Sequence, residues 1–210
     1  MKKIDEKFYL FGAGGHAKVV WDTLLSNHQK LSGCFTDIDS NSFHHSVPHL
    51  GKSILAFANE SSYFNIAIGN NEVRRRIAIN QKCDFFNVIH RESVLSDKVC
   101  IGNGNSILAN ATINPFSTIG HHCIINTSSI IEHDCIIENY VHISPNATLC
   151  GNVFVGEGTH IGAGAVVIPN IKIGKWATIG AGSVIINDIP DYAVVVGNPG
   201  KIIKYNVNER

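Results

Sequence analysis

The sequence has no net charge and no long apolar run. Lys plus Arg number 17 and Asp plus Glu number 17, so the formal net charge at neutral pH is zero. No basic stripe with interleaved aromatic residues is present, which argues against nucleic-acid binding. No apolar stretch reaches the roughly 20 residues that a membrane-spanning helix needs. Acids and glycines interrupt the start, MKKIDEKFYLFGAGG. We therefore expect no signal peptide, no membrane contact and a cytoplasmic location.

Paired cysteines are also missing. The chain has six cysteines and none of them forms a C-x-x-C pair. In a reducing compartment such cysteines remain thiols. We predict that they act as buried small hydrophobic residues.

A repeat of six residues runs through the second part of the chain. Counting in sixes from Ile89 to Ile185 gives seventeen positions, and each is Ile, Leu or Val. The residue four places later is usually small, as in Ala111, Ala147 and Ala165. Neither the helical period of 3.6 nor the strand period of two produces this pattern.

A chain that turns a corner every six residues explains the repeat. Each hexad is then a short strand whose aliphatic residue points inward, and three hexads close a triangular coil of eighteen residues. Successive coils stack at the interstrand spacing of about 4.8 Å. Ladders such as Ile125, Ile143 and Ile161 fill the interior. The pattern predicts a parallel β-helix over residues 89–190, followed by a tail over residues 191–210.

Residues 1–88 have a different pattern. Three stretches are typical of short strands: FYLF, GCFTD and YFNIAIGNN. Two others are typical of helices: GAGGHAKVVWDTLL, which begins with a glycine turn, and NNEVRRRIAINQK, with Asn70 or Asn71 as its cap. Strands that alternate with helices predict a small parallel α/β sheet, similar to half of a Rossmann fold.

The first glycine turn has the spacing of a dinucleotide-binding fingerprint. Gly12, Gly14 and Ala17 follow a predicted strand, and Asp37 lies some twenty-five residues further on. Residues 1–88 hold only one mononucleotide-binding half, so we do not expect a dinucleotide. Glycines let backbone N–H groups approach a phosphate at a helix N-terminus, which favours a nucleotide-linked ligand. The alternative is a glycine turn that only packs the helix on the strand.

The stretch IIEHDC, residues 130–135, places a histidine between two acids. In the register of the repeat Ile131 and Cys135 point inward, so His133 and Asp134 occupy a corner of the coil. A histidine titrates near neutral pH and can act as a general base, and a carboxylate can hold one ring nitrogen. If prisms trimerise, this corner lies in a cleft between chains. The alternative is a solvated surface histidine.

Four stretches resemble bacterial nucleotide-sugar acetyltransferases built from hexapeptide repeats. They are IINTSSIIEHDCIIENYVHISPNATLCGNVFVG (124–156), FGAGGHAK, FNIAIGNNEVRRRI and VVVGNPGKIIK. The chain looks very like the enzymes that N-acetylate UDP-4-amino sugars on the bacillosamine route. Sialic acid O-acetyltransferases and perosamine N-acetyltransferases are similar as well. The resemblance implies a left-handed β-helix, a hand that the hexads do not give and that is the opposite of ordinary crossovers.

The resemblance also implies roles for single residues. His133 matches the general base of the family, and Asp134 matches its carboxylate partner. The bacillosamine enzymes carry a longer Glu there, so Glu132 is a second candidate for that role. The backbone N–H of Gly151, eighteen residues after His133, matches the donor to the thioester carbonyl.

Acetyl-CoA and a nucleotide sugar are the implied ligands, and a homotrimer with active sites between subunits is the implied assembly. The residues implied for acetyl-CoA are Asn126, His142, Gly151, Ala163, Ala181 and Lys201. The residues implied for the nucleotide sugar are Gly14, Gly15 and His16 at the phosphates, Asp37 at the uracil or ribose, and Gly69 at the sugar.

The implied reaction is direct attack of the C4 amine of the sugar on the thioester carbonyl, with His133 as base. It needs no metal and no covalent enzyme intermediate, and the sequence has no Ser-His-Asp or Cys-His signature. The implied acceptor is a UDP-linked 4-amino-4,6-dideoxy-N-acetylhexosamine. A sialic acid or a GDP-4-amino sugar is the alternative, because the same base serves all three acceptors.

Two other functions are compatible with a β-helix. Gamma-class carbonic anhydrases bind zinc between prisms through histidines five residues apart. Positions 128 and 138, which flank His133 at that spacing, hold Ser and Glu. A non-catalytic scaffold has no use for a glycine-rich nucleotide loop. We therefore expect an acyltransferase.

Overall fold

An α/β unit and a triangular β-helix follow one another in the chain. The computed structural model describes residues 6–36, 46–51 and 62–206. Within these ranges no helix is long and apolar enough to cross a membrane.

The α/β unit is a four-stranded parallel sheet with two helices. The strands lie in the order β2-β1-β3-β4. Their bounds are β1 Lys7–Phe11, β2 Leu31–Phe35, β3 Ser62–Ile66 and β4 Asp84–Phe85, and the helices are α1 Gly15–Ser26 and α2 Asn71–Asn80. The side chain of Asn70 caps α2, since its Oδ1 accepts from the N–H of Val73 at 3.0 Å. The predicted parallel sheet is confirmed.

Seventeen two-residue strands follow between residues 88 and 185, one in each hexad. They are β5 Val88–Ile89, β6 Val94–Leu95, β7 Cys100–Ile101, β8 Ser106–Ile107, β9 Thr112–Ile113, β10 Thr118–Ile119, β11 Ile124–Ile125, β12 Ile130–Ile131, β13 Ile136–Ile137, β14 His142–Ile143, β15 Thr148–Leu149, β16 Phe154–Val155, β17 His160–Ile161, β18 Val166–Val167, β19 Lys172–Ile173, β20 Thr178–Ile179 and β21 Val184–Ile185. From β8 onward the second residue of each strand is at most 1% exposed. The predicted inward ladders are confirmed.

The strands form three parallel sheets, which are the faces of a triangular prism. The eight-stranded face has the order β23-β22-β20-β17-β14-β11-β8-β5, the six-stranded face β21-β18-β15-β12-β9-β6, and the five-stranded face β19-β16-β13-β10-β7. Partners lie eighteen residues apart, as Ile125 does from Ile143. Two further strands, β22 Ala193–Val196 and β23 Lys201–Tyr205, extend the eight-stranded face.

Each corner of the prism is a two-residue turn. From residue 104 to residue 182 the second residue of each turn has a positive φ, as in Asn110 (58°), Asn146 (57°) and Asn152 (58°). Asn and Gly enter this left-handed region at little cost. Three corners are named here by their residues. The histidine corner (133–134 and 151–152) joins the six- and five-stranded faces, the alanine corner (163–164 and 181–182) the eight- and six-stranded faces, and the aromatic corner (121–122, 139–140 and 175–176) the five- and eight-stranded faces.

The α/β unit packs on the eight-stranded face and on the aromatic corner. Arg74 is 1% exposed and donates to the backbone oxygens of His122 and Tyr140, both at 2.7 Å. Asn65 Nδ2 donates to the oxygen of Gly104 at 3.2 Å. These bonds fix the unit relative to the prism.

The six cysteines are free thiols. Cys34, Cys123 and Cys135 are buried, as expected. The expectation of burial is wrong for Cys100, which is exposed because it is the first residue of β7 and faces outward.

Candidate active site

The histidine corner holds an imidazole paired with a carboxylate. His133 Nδ1 lies 2.7 Å from Asp134 Oδ2, and the two side chains are 59% and 55% exposed. Within the described residues the Glu132 carboxylate makes no hydrogen bond to this imidazole. A carboxylate that accepts from Nδ1–H leaves Nε2 free to take a proton.

The ring of His133 lies over Gly151 of the next coil. A Cβ at Gly151 would be 2.6 Å from Cε1 and 2.7 Å from Nε2 of His133. Only glycine therefore leaves room for the imidazole. The N–H of Gly151 has no acceptor among the described residues.

A second group of histidines lies on the eight-stranded face, beneath the α/β unit. The rings of His142 and His160 stack with centroids 4.8 Å apart. Asn126 Nδ2 lies 3.0 Å from His142 Nε2. Burial, followed by the charges of His160, Arg74 and His16, lowers the pKa of His142 to about 3. His142 is therefore neutral, and its Nε2 accepts from the Asn126 amide.

The N-terminus of α1 opens into a cavity of about 580 Å³, called the nucleotide cavity below. Four predicted residues, Gly14, Gly15, His16 and Gly69, line it. Among the described residues, a Cβ at Gly14 or Gly15 would meet no atom within 4 Å. The first N–H groups of a helix lack intrahelical acceptors and attract anions. The predicted Asp37 lies outside the described residues.

His16 faces the nucleotide cavity as a neutral ring. Burial and the charge of Arg74 lower its pKa to about 4. Its Nε2 is buried and has no hydrogen-bond partner within the described residues. The His16 ring centroid lies 6.3 Å from that of His142, so the cavity ends close to the histidines of the prism.

Sequence reasoning missed the contribution of α2 to this cavity. Val73, Arg76, Ile77 and Asn80 line it. Their spacing of three and four residues is that of one helix face, a signal that was present in NNEVRRRIAIN. Beside it along α2 lies a second cavity of about 710 Å³, whose lining includes Arg75, Arg76 and Trp176 and which shares Gly69, Val73 and Arg76 with the first.

The structure separates the predicted base from two of the residues predicted to bind acetyl-CoA. His133, Asp134 and Gly151 lie at the histidine corner, whereas Asn126 and His142 lie on the eight-stranded face, opposite that corner. A face of six residues at about 3.3 Å each is roughly 20 Å wide. One chain therefore cannot bring His133 to its own His142.

Three predicted acetyl-CoA residues lie at other places on the surface. Ala163 and Ala181 are exposed at the alanine corner, one coil apart. Lys201 is exposed at the start of β23. None of them lies at the histidine corner of its own chain.

Two family models match the chain. The PglD N-terminal domain matches residues 7–80, and the bacterial transferase hexapeptide (six repeats) matches residues 116–151 and 152–187. Together they cover most of the described residues.

Solved structures are similar over nearly the whole length. Perosamine N-acetyltransferase from Caulobacter crescentus, a histidine-to-asparagine mutant with CoA and GDP-perosamine, is 32% identical with a TM-score of 0.89, covering 96% of this chain and 98% of that one. The acetyltransferase domain of PglB from Neisseria gonorrhoeae FA1090, with acetyl coenzyme A, is 33% identical with a TM-score of 0.88, covering 95% and 100%. This likeness confirms the expected fold, an α/β unit followed by a left-handed parallel β-helix.

One curated relative matches part of the chain. Uncharacterized protein L142 of Acanthamoeba polyphaga mimivirus is 30% identical over 118 residues, which are 56% of this chain and 24% of that protein. The match thus spans about a quarter of the length of that relative.

Proposed function

Because the chain belongs to the hexapeptide-repeat acyltransferases that carry a PglD-type N-terminal domain, we propose that it acetylates the amine of a nucleotide-linked amino sugar, with acetyl-CoA as donor. The observation that carries the proposal is the His133–Asp134 pair, 2.7 Å apart, whose ring lies over Gly151. This corner combines a base, a group that orients it, and a free backbone N–H. These are the parts that acyl transfer by direct attack requires.

The proposed reaction proceeds through one tetrahedral intermediate. Nε2 of His133 takes a proton from the sugar amine, and the nitrogen attacks the thioester carbonyl carbon. The N–H of Gly151 donates to the developing oxyanion. The C–S bond then breaks, and the imidazolium protonates the departing CoA thiolate. Asp134 holds Nδ1 throughout, which keeps Nε2 directed at the substrate.

The two separated groups of residues come together in a homotrimer. If the six-stranded face lies toward a three-fold axis, the histidine corner of one copy lies beside the alanine corner of the next. The alanine corner borders the eight-stranded face, where His142 lies and on which the α/β unit that holds the nucleotide cavity packs. A head-to-tail contact of this kind closes into a ring.

The outward residues of the six-stranded face support this orientation. The first residue of each of its strands is uncharged: Val94, Thr112, Ile130, Thr148, Val166 and Val184. The matching row on the five-stranded face is Cys100, Thr118, Ile136, Phe154 and Lys172, so it differs by one charged residue, Lys172. Burying an uncharged β-branched row costs less than burying a charged one.

Acetyl-CoA is proposed to lie in the cleft between prisms. Ala163 and Ala181 leave room along the alanine corner, and Gly151 leaves room along the histidine corner of the adjacent copy. Asn126 and His142 border the acetyl end, and Lys201, near the last coils, meets the phosphates of CoA.

The acceptor is proposed to be a UDP-linked 4-amino-4,6-dideoxy-N-acetylhexosamine. Its phosphates would lie at Gly14, Gly15 and His16, and its sugar beyond Gly69. FNIAIGNNE and INTSSIIEH support this choice by their resemblance to the bacillosamine enzymes. A GDP-4-amino sugar is the second candidate, because the Caulobacter relative binds GDP-perosamine. A free sialic acid is less well supported, since it would leave the nucleotide cavity unused.

A thiol-release assay with acetyl-CoA tests the proposal. The acceptors are UDP-4-amino-4,6-dideoxy-N-acetylglucosamine, GDP-perosamine and free sialic acid. The variants are His133→Ala and, as a matched control, His121→Ala, which removes an exposed histidine at the aromatic corner. We expect turnover with the UDP sugar, a loss of about a hundredfold or more in His133→Ala, and retention in His121→Ala.

The other outcomes are informative as well. Turnover with GDP-perosamine alone would support the proposed mechanism but show that the nucleotide is GDP and not UDP. Turnover with sialic acid alone would leave His133 as the proposed base but refute the proposal that the acceptor is an amine. No thiol release with any acceptor would refute the acetyltransferase assignment.

A further inference from the structure

Three consecutive arginines, Arg74, Arg75 and Arg76, lie in α2. Successive side chains of an α-helix point about 100° apart, so the three guanidinium groups face different surroundings. Because the three side chains carry the same charged group, only their contacts distinguish their roles.

Arg74 is buried, and its guanidinium donates hydrogen bonds within the protein. It donates to the backbone oxygens of Ile68, Gly69, His122 and Tyr140 and to Asn71 Oδ1, at 2.7 to 3.3 Å. Burial lowers its pKa to about 10, so it remains charged at neutral pH. Its role is to hold the α/β unit on the prism.

Arg75 contacts the surface of the prism. Its Nε lies 3.4 Å from Glu157 Oε1, and its Cζ lies 6.0 Å from the centroid of the Trp176 ring. An ion pair and a cation–π contact of this kind hold the side chain against the aromatic corner.

Arg76 has neither kind of contact. It is exposed, and within the described residues it has no ion pair and no hydrogen bond from its side chain. It lines the nucleotide cavity and also the second cavity beside it along α2. Its guanidinium therefore stands free at the border between the two spaces.

Apart from Arg76, the described lining of the nucleotide cavity offers no positively charged side chain. Among the described residues that line it, Arg76 is the only one with a charged side chain. His16 cannot supply the charge, because burial and Arg74 lower its pKa to about 4. The proposed nucleotide sugar carries a diphosphate with two negative charges. Withdrawing those charges from water is costly unless a cation and hydrogen-bond donors replace the water.

We propose that Arg76 binds the diphosphate of the nucleotide ligand, across the cavity from the N-terminus of α1. The inference rests on the proposed function, since that function supplies the nucleotide sugar. A guanidinium matches phosphate oxygens through two parallel N–H donors. The backbone N–H groups of Gly15 and His16 serve the opposite side of the diphosphate. Arg76 thereby decides how tightly any nucleoside diphosphate binds.

Isothermal titration calorimetry with UDP, GDP, UMP and GMP tests this assignment. The variants are Arg76→Gln, Arg76→Lys and the matched control Arg75→Gln, which removes the neighbouring charge. We expect Arg76→Gln to weaken binding of the preferred nucleoside diphosphate by about tenfold to a hundredfold, and of the monophosphate by less. Arg76→Lys should recover part of the loss, and Arg75→Gln should stay within about threefold of wild type.

The outcomes separate this inference from the proposed function. If wild type binds a nucleoside diphosphate and Arg76→Gln binds it equally well, Arg76 is not the diphosphate ligand, and the acetyltransferase proposal stands. If Arg75→Gln loses as much affinity as Arg76→Gln, the effect belongs to the placement of α2, and the assignment is refuted. If wild type binds neither UDP nor GDP, the nucleotide part of the proposed function fails together with the assignment.

Discussion

Substitution of Gly151 by alanine tests the geometry of the histidine corner directly. The added Cβ would be 2.6 Å from Cε1 and 2.7 Å from Nε2 of His133. Carbon atoms in good contact are about 3.5 to 4.0 Å apart. The obstacle is the far end of an exposed side chain, so the ring moves and the fold remains intact.

The expected loss of activity follows from that movement. Restoring an ordinary contact displaces the ring by about 1 Å, and a misplacement of about 1 Å costs on the order of a hundredfold in rate. Gly151→Ala keeps the backbone N–H that we propose for the oxyanion. The predicted loss of about a hundredfold in kcat therefore reports on the base, whereas an effect of the methyl group on the proposed acetyl-CoA cleft would appear in the KM for acetyl-CoA. Tm should change by only a few degrees.

A double-mutant cycle in the thiol-release assay separates this effect from others. If Gly151→Ala acts by displacing His133, it should cost little in the His133→Ala background, because the displaced group is already gone. A kcat for Gly151→Ala within about threefold of wild type would refute the proposed placement of the base. The placement would also be refuted if the fold losses in kcat of the two single variants multiplied in the double variant, because the two substitutions would then act independently.

Three further predictions concern the interface, the orienting carboxylate and the buried histidines. Ile130→Asp, on the six-stranded face, should give monomers in light scattering. Ile136→Asp, at the equivalent place on the five-stranded face, should leave the trimer intact. The reverse result would show that the five-stranded face, and not the six-stranded face, forms the trimer interface. Asp134→Asn keeps a residue that tolerates the φ of 60° and should lower kcat about tenfold or more, while an unchanged kcat would exclude this carboxylate as the orienting group. The pKa values of His16 and His142 are lowered to about 4 and about 3 from an ordinary 6.5, so the unfolded chain binds their protons first as the pH falls. Their contribution to stability is therefore present above about pH 6.5 and is lost toward pH 4, and the free energy of unfolding from urea titrations should fall between pH 7 and pH 5, less steeply in His142→Gln.

The β-helix could be predicted because its interior imposes a strict rule on every sixth residue. An inward position such as Ile125 or Ile143 contacts the coils above and below it, so only an aliphatic side chain fits. The hand of the helix could not be derived, since either hand has the same period; it came from the family resemblance. The left-handed corner residue shows in hindsight as Asn146 and Asn152. Phe116, His122, Ser128, Tyr140 and Trp176 have the same positive φ, so residue type does not mark every corner.

Parts of the site could be predicted and parts could not, for a geometric reason. His133 and Gly151 are one coil apart, so the repeat alone places one over the other. His133 and His142 are nine residues apart, which is half a coil, and this places them on opposite sides of the triangle. The role of Arg76 depends on the phase of α2 relative to the prism, and NNEVRRRI does not distinguish it from its two neighbours.

The opposed positions of base and nucleotide cavity lead to a last prediction, that two inactive variants complement each other. His133→Ala removes the base and keeps the cavity. Gly15→Asp keeps the base and adds a carboxylate at a position where a Cβ meets no atom of the described residues within 4 Å. The N-terminus of a helix tolerates an acidic side chain, so the fold should remain intact. The negative charge should, however, repel a phosphate. In trimers assembled at random from equal amounts of both, about a quarter of the interfaces pair an intact base with an intact cavity. Purification of co-expressed trimers through two tags removes the homotrimers, so one interface in three is intact in every remaining trimer, and activity should recover to about a third of wild type although each variant alone is inactive. If mixed trimers form and stay inactive, each site lies within one chain, and the arrangement proposed for the six-stranded face is wrong.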